Sequence, residues 1–567
     1  MVRFSPIAVL VALCALLPAV VGAFGEGTLP NNAPPLPTLH AAGPADQVGS
    51  WDAPFEGQIP AVHVALLPNG NVLYWSGDVA EGDWIYFLST VEPSQARILA
   101  PPYDATSVAS VLDAEGNALT LFCSGHTILP NGNILSAGGS EWHATVAEQN
   151  PSFVDGLATT RVFDWQTNSW TQTADMSVPR WYPTVMTVSG DRALVASGIS
   201  KLIDPSTHVA SIETYDGSAW STLPGGDNLL PLYPRLYEIP SDPLKGHLFY
   251  ETGGTLWGPF GEHPKEPLWN LEQSYDPANQ TWSILGPSIF GARTSPDDIM
   301  LPLDPADGYH ARLLNFGGTL QRSIVATPTA EITDFATNPP SHSIAASLHT
   351  PRWQSTGVIL PDGKILAVGG AIYDNVMTYG SPDPAVMTGE IYDPAADTWT
   401  ETPPMTIPRE YHGTAILLPD ARVLVGGHVP NPVPWTAMRD NLPPANQSPQ
   451  TKFEVYEPPY LHWSETRPMI HDAPANITYG QTFDVEAMGD VTDAILVHNG
   501  AETHSQDPDQ RAIILPVESR NGNELTFRAP PDDITAPAGP WMLFLRTHVD
   551  GKGELPSVAK IVMLGGN

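Results

Sequence analysis

His126-Thr-Ile-Leu-Pro-Asn-Gly-Asn-Ile-Leu-Ser-Ala-Gly-Gly139 and Thr356-Gly-Val-Ile-Leu-Pro-Asp-Gly-Lys-Ile-Leu-Ala-Val-Gly-Gly370 are two copies of one phrase. Each is a short apolar run, a polar turn, a second apolar run and a closing glycine pair. Asn-Gly or Asp-Gly between apolar runs is a hairpin signal, because both turn residues tolerate positive φ. A third copy, Thr414-Ala-Ile-Leu-Leu-Pro-Asp-Ala-Arg-Val-Leu-Val-Gly-Gly427, carries Ala421 where the others carry glycine. Looser copies close at Gly77, Gly198, Gly254 and Gly318, so successive terminal glycines are 62, 59, 56, 64, 52 and 57 residues apart.

A second phrase sits between several of these glycines: an aromatic residue and Asp, a turn, then Trp. It reads Phe163-Asp164 to Trp170, Tyr215-Asp216 to Trp220, Tyr275-Asp276 to Trp282 and Tyr392-Asp393 to Trp399. A repeat of this length with one glycine pair per unit predicts an all-β, kelch-like β-propeller of seven four-stranded blades, with each Trp packed between blades. An array of sandwiches would not place a glycine pair at one point of every unit.

The pattern fades after residue 453. The remainder has short strands such as Thr482-Phe-Asp-Val-Glu486 and Trp541-Met-Leu-Phe-Leu545 and no helical period, which predicts a small immunoglobulin-like β-sandwich. The expected organisation is a signal peptide over 1–23, an extension over 24–50, the propeller over 51–453 and the sandwich over 454–567. Met1-Val2-Arg3, an apolar run over Ile7 to Val21 and Val21-Gly22-Ala23 before Phe24 form the expected export signal. No later run is long and apolar enough to span a membrane, so export is read as release, giving a secreted, extracellular protein. Sequons at Asn279, Asn446 and Asn476 are glycan acceptors if the source is a eukaryote.

Charge excludes some partners. With 25 basic and 61 acidic residues the net charge is −36, which argues against nucleic acid and anionic membranes. The 60 Pro and 48 Gly make a turn-rich chain, while 16 Trp and 42% hydrophobic residues are too many for disorder.

Cysteine usage is the chemical clue. Of two cysteines, Cys14 lies in the export signal and leaves Cys123 alone in the mature chain. A lone thiol in a secreted protein is a small buried hydrophobe, an intermolecular pair, a reactive group or half of another covalent bond. Register weighs against the first of these and leaves the others open. Sixteen residues before Gly139 stands Cys123, sixteen before Gly198 stands Tyr182, and sixteen before Gly427 stands Tyr411. Equivalent positions lie on one ring around a propeller axis, so these three should converge. The same register holds Gln354 and Ala61, so it is not a fixed Cys/Tyr slot.

Here the chain resembles the copper-radical oxidases, the galactose oxidase and glyoxal oxidase group, from about Trp51 to its end. The matching phrases are Phe122-Cys123-Ser-Gly, Arg180-Trp-Tyr182-Pro, Tyr411-His412-Gly, Glu502-Thr-His504-Ser with Asp509-Gln-Arg511, and Pro556-Ser-Val-Ala-Lys560. The resemblance implies a thioether between Cys123 and Tyr182, an axial Tyr411, and one copper per chain held by Tyr182, Tyr411, His412 and His504. It also implies a protein-derived Cys-Tyr radical cofactor and oxidation of a primary alcohol or simple aldehyde by dioxygen to the aldehyde or acid and hydrogen peroxide. Imidazole and phenolate donors suit Cu(II) on chemical grounds as well.

One geometric difficulty stands: adjacent Tyr411 and His412 face opposite sides of a regular strand, so both reach one metal only through irregular backbone. His126, His143 and His428 are read as loop or packing residues. A departure lies near the radical: galactose oxidase has a tryptophan two residues after the closing glycine of this blade, where this chain has Ser200. That favours a glyoxal-oxidase-like or simple-alcohol activity over galactose. Trp257, then Trp142, is the expected replacement cover for the Cys123–Tyr182 pair. The expected state is a monomer, with peroxide-consuming enzymes nearby as partners. The rival readings are a catalytically silent secreted propeller that binds carbohydrate or cell wall, and a scaffold dimerised through Cys123.

Overall fold

The computed structural model describes residues 43–75, 95–110, 121–139, 155–201, 205–255, 269–320, 323–374, 385–427 and 450–565. The expected signal peptide, Cys14, Trp142, Trp257, His143 and His428 lie outside them. The described chain is almost entirely β, and none of its helices is long and apolar enough to cross a membrane.

Between residues 50 and 457 the strands gather into successive, largely antiparallel sheets. Their first strands are His63–Leu66, Ser124–Ile128, Thr184–Val188, Leu232–Glu238, Asp297–Met300, Thr356–Ile359 and Gly413–Leu417. Neighbouring first strands pack on one another, as Ser124–Ile128 does on Thr184–Val188 and Gly413–Leu417 on His63–Leu66. The two ends of this region join: Ser50–Trp51 and Phe55–Glu56 both pair with Lys452–Glu457 in the last of these sheets.

The repeated phrases do the predicted work. Gly132 and Gly363 take φ of +85° and +87° at their turns, and Ala421 adopts +74° in the same place despite its Cβ. Asp-turn tryptophans reach back to the preceding unit: Trp220 Nε1 donates to Thr160 Oγ1 at 3.0 Å and Trp399 Nε1 to the Ala346 carbonyl at 2.7 Å.

A buried arginine recurs two residues before several channel-facing positions. Arg180, Arg293, Arg352 and Arg409 pair with Glu213, Glu331, Glu390 and Glu454 at 2.7, 3.5, 2.6 and 3.5 Å. Buried pairs of this kind add little net stability but are costly to break from one side, so they fix the strand entrances in one arrangement.

The C-terminal region packs two sheets face to face. One contains Met469–Asp472, Thr482–Met488, Glu524–Arg528 and Ser519–Asn521; the other centres on Gly539–Val549 and Asp493–His498. Thr482–Met488 alternates strictly between exposed and buried residues, as a half-buried strand requires. Its core is continuous with the sheets before it, because Tyr237, Phe249 and Leu313 join Val485, Leu496 and Trp541 in one apolar cluster.

His498 sits in this shared interior against the Trp541 indole, ring centroids 4.9 Å apart, and burial followed by the Arg511 charge pushes its imidazole down to about 3. Folded protein keeps it neutral while unfolded chain protonates below about 6.5, so its contribution to stability is lost as pH falls from about 6.5 towards 3. Between pH 7 and 5, wild type should lose about 2 kcal/mol more stability than a His498→Leu variant. Denaturant titrations at the two pH values check this, and equal losses would contradict it.

Candidate metal centre

The channel-facing register is a set of left-handed residues. Cys123, Tyr182, Tyr233, Ser295 and Gln354 take φ of +59°, +60°, +45°, +48° and +57° at the mouths of successive sheets. Non-glycine residues rarely hold this conformation, and here it turns each side chain off the strand line. Backbone bonds tie the mouths together: Tyr182 N–H donates to the Cys123 carbonyl at 3.1 Å and Tyr233 N–H to the Tyr182 carbonyl at 2.9 Å.

Tyr411 and His412 precede the strand Gly413–Leu417 and do not lie within it, and His412 has φ +67°. The difficulty of two adjacent side chains on one side is thereby removed: their rings lie 3.7 Å apart, centroid to centroid.

The remaining imidazole comes from the C-terminal region. Ala501–Thr503 adds to the sheet of His63–Leu66, and a tight turn closes as Gln506 N–H donates to the Thr503 carbonyl. His504 and Ser505 at its tip take φ of +51° and +60°. Polar anchors run from this segment to several sheet mouths. Glu502 accepts from Ala415 N–H at 3.0 Å and Thr356 Oγ1 at 3.3 Å, and Asp509 accepts from Thr187 N–H at 2.8 Å and from Thr127 Oγ1. Thr503 Oγ1 donates to the Val62 carbonyl at 2.9 Å, so it accepts from His504 Nδ1–H at 2.7 Å. That assignment leaves the His504 lone pair on Nε2, which faces Cys123 Sγ at 3.9 Å.

The five sequence-predicted residues are thus brought together, all buried. Donor atoms of Cys123, His412 and His504 lie within 4.8 Å of one another. The Tyr182 and Tyr411 hydroxyls are hydrogen-bonded, and the His412 and His504 rings meet at 88° with centroids 4.6 Å apart. Burial, reinforced by His412 and His63, holds His504 neutral well below the ordinary imidazole value. Burial also pushes the phenols of Tyr182 and Tyr411 well above theirs.

Three aromatic neighbours escaped sequence reasoning. Trp181 stacks on Tyr182 with centroids 3.7 Å apart and planes 11° from parallel. Among the described residues, this tryptophan one position before the tyrosine covers its ring; Trp257 and Trp142 lie outside them. Ser200, where a stacking tryptophan is absent, donates instead to the Pro179 carbonyl at 2.9 Å. Tyr233 packs between Tyr182 and His504 at 4.5 and 4.7 Å, and Trp353 lies parallel to Tyr411 at 6.0 Å.

His126 is buried within a strand and hydrogen-bonded. Its Nε2–H donates to the Val64 carbonyl at 3.1 Å, so its Nδ1 accepts from His63 Nδ1–H at 3.4 Å, beside the His504 ring. Burial pushes His126 down to about 4.

The family description "Glyoxal oxidase N-terminus" matches residues 299–460, and "Galactose oxidase-like, Early set domain" matches 467–564. A galactose oxidase of Gibberella zeae is 26% identical over 536 residues, covering 92% of this chain and 71% of that one. An aldehyde oxidase of Arabidopsis thaliana is 26% identical over 468 residues, covering 75% and 69%. A solved fungal alcohol oxidase in complex with copper shares the fold with a TM-score of 0.68 at 21% identity, covering 92% of this chain and 100% of that one. The resemblance to the galactose oxidase and glyoxal oxidase group, read from sequence phrases, is borne out.

Proposed function

We infer that this chain, an oxidoreductase resembling the copper-radical oxidases, oxidises a small primary alcohol or simple aldehyde with dioxygen and releases hydrogen peroxide. The observation that carries the reading is the buried convergence of Cys123, Tyr182, Tyr411, His412 and His504 from separate sheets and from the C-terminal segment. Two imidazole nitrogens and two phenol oxygens form a donor set suited to Cu(II). The fit extends to protonation: the buried phenols stay protonated at neutral pH until a cation stands beside them, so loading releases protons. Tyr182, Tyr411, His412 and His504 would hold the metal.

Bound copper would supply one of two one-electron stores; the chain supplies the other. The Tyr182 ring, joined to Cys123 Sγ, would take up an oxidising equivalent more readily than a bare phenol, because the sulfur shares the unpaired electron. Joining the pair removes one hydrogen from each partner, and dioxygen takes both to become hydrogen peroxide. In turnover, the Tyr411 oxygen takes the substrate hydroxyl proton and the Tyr182 oxygen takes a hydrogen atom from the adjacent carbon. An alcohol and dioxygen thus give an aldehyde and hydrogen peroxide; a hydrated aldehyde gives the acid.

Trp181 excludes solvent from the face of Tyr182, and its stacking supports the ring on which the radical resides. Trp181→Phe should shorten the radical lifetime about tenfold, the scale of one aromatic pair at 0.5–1.5 kcal/mol, with copper affinity unchanged. Decay of the radical absorption checks this; an unchanged decay would contradict it.

Ser200, in place of a stacking tryptophan, favours a glyoxal-oxidase-like substrate over galactose. The same reading includes a secreted monomer, removal of residues 1–23, a seven-bladed ring over 51–453 and a sandwich over 454–567. The test is peroxide release from a panel of small aldehydes, small alcohols and galactose after copper loading in air. Copper-dependent peroxide with the small substrates is expected. No peroxide with any of them would contradict the reading.

A further inference from the structure

Arg235 lies two residues after Tyr233 in the strand Leu232–Glu238 and is 2% exposed. Pairing with Leu248–Thr255 shifts register between Pro234 and Leu236, so Arg235 sits in a bulge. Bulges of this kind re-aim a side chain, and here the guanidinium reaches the tip of the segment that carries His504. One amino group donates to Gln506 Oε1 at 3.1 Å; the other donates to the His504 carbonyl at 3.4 Å and the Pro296 carbonyl at 3.1 Å. Nε stands 3.6 Å from Asp298 Oδ2, and Asn315 Nδ2 holds the other oxygen of that carboxylate at 2.5 Å.

The tip needs such a hold. His504 and Ser505 are consecutive non-glycine residues with positive φ, a strained conformation that persists only where surroundings enforce it. Thr503 and Glu502 fix the approach to the tip, and Asp509 fixes the exit. Arg235 grips the tip itself, on both sides of Ser505, while Ser505 Oγ donates to Gln354 Oε1 at 2.9 Å.

We propose that Arg235, anchored by Asp298, is a positioning residue that presets the His504 backbone so that Nε2 faces Cys123 before metal arrives. This rests on the reading of His504 as a ligand. Partners that orient a ligand without touching the metal are worth about 10–100-fold in metal affinity.

The experiment uses the full chain, with copper affinity measured by chelator competition, the Cu(II) electron paramagnetic resonance spectrum, and thermal melting. Arg235→Gln should weaken copper binding about 10–100-fold and alter the Cu(II) hyperfine splitting, with Arg235→Lys intermediate. Arg293→Gln, which removes an equally buried arginine that contacts Glu331, should lower the melting temperature while leaving copper affinity and spectrum as in wild type. Wild-type affinity and spectrum in folded Arg235→Gln would overturn the proposal. If that variant does not fold, Gln506→Ala takes its place, since it removes one grip and leaves the Arg235–Asp298 pair. A weaker affinity supports the proposal and an unchanged one overturns it. A wild-type chain that takes up no copper would instead overturn the ligand reading and this proposal with it.

Discussion

Replacing Cys123 with serine should leave a folded protein that has lost nearly all turnover. The side chain is fully buried at the mouth of the strand Ser124–Ile128, and the exchange keeps its size while swapping a weakly polar group for a hydroxyl. The stability cost should be about 1–3 kcal/mol if the hydroxyl finds no partner, small against a large all-β core. The chemical cost is of another order. Without sulfur the thioether cannot form, and the phenol of Tyr182 becomes a poorer store for the second oxidising equivalent. Turnover should fall by on the order of 10³, about 4 kcal/mol in the barrier. Peroxide release under saturating substrate, with a melting curve as the folding control, measures this. Full activity in Cys123→Ser would remove the cross-link from the mechanism.

Replacing His504 with alanine should separate metal binding from folding. Its ring contributes packing against Tyr233 and Tyr182, but its distinctive role is the Nε2 lone pair fixed by Thr503. Loss of one of two imidazoles should weaken copper binding by more than the roughly 100-fold upper range for an indirect partner. The rest of the 499–511 segment keeps its anchors, so the melting temperature without copper should move little. Deleting residues 454–567 is a poorer version of the test, because Tyr237, Phe249 and Leu313 would lose the partners with which they form one core. An unchanged copper affinity in His504→Ala would show that the C-terminal segment only plugs the channel.

The sequence disclosed the centre where its repeats keep equal hairpin length. Cys123, Tyr182 and Gln354 share both a sixteen-residue count and the left-handed conformation. Tyr233 and Ser295 share the conformation but escaped the count, because their first hairpins turn through 239–247 and 301–311, longer than the turn over 129–133. Tyr411 kept the count, yet the left-handed residue in that sheet is its neighbour His412. The irregularity is what lets both side chains serve one site.

Trp181 was legible in principle. A tryptophan next to a residue with positive φ can fold back over it, and Trp181 directly precedes Tyr182. The grip of Arg235 on His504 was not legible, since it depends on a bulge and on a contact 269 residues away in sequence. Likewise the two tautomers, His504 with its proton on Nδ1 and His126 with its proton on Nε2, follow only from which oxygen each nitrogen meets.

The central claim is that Cys123 and Tyr182 become one group. An intact-mass spectrum of the full mature chain, loaded with copper in air and then reduced and stripped of metal, tests it most directly. The account predicts a mass two hydrogen atoms below that of the unmodified chain, no thiol reactive after denaturation, and a fragment linking the peptides that contain Cys123 and Tyr182. A chain of unmodified mass with one titratable thiol, or a dimer that reductant separates, would contradict it.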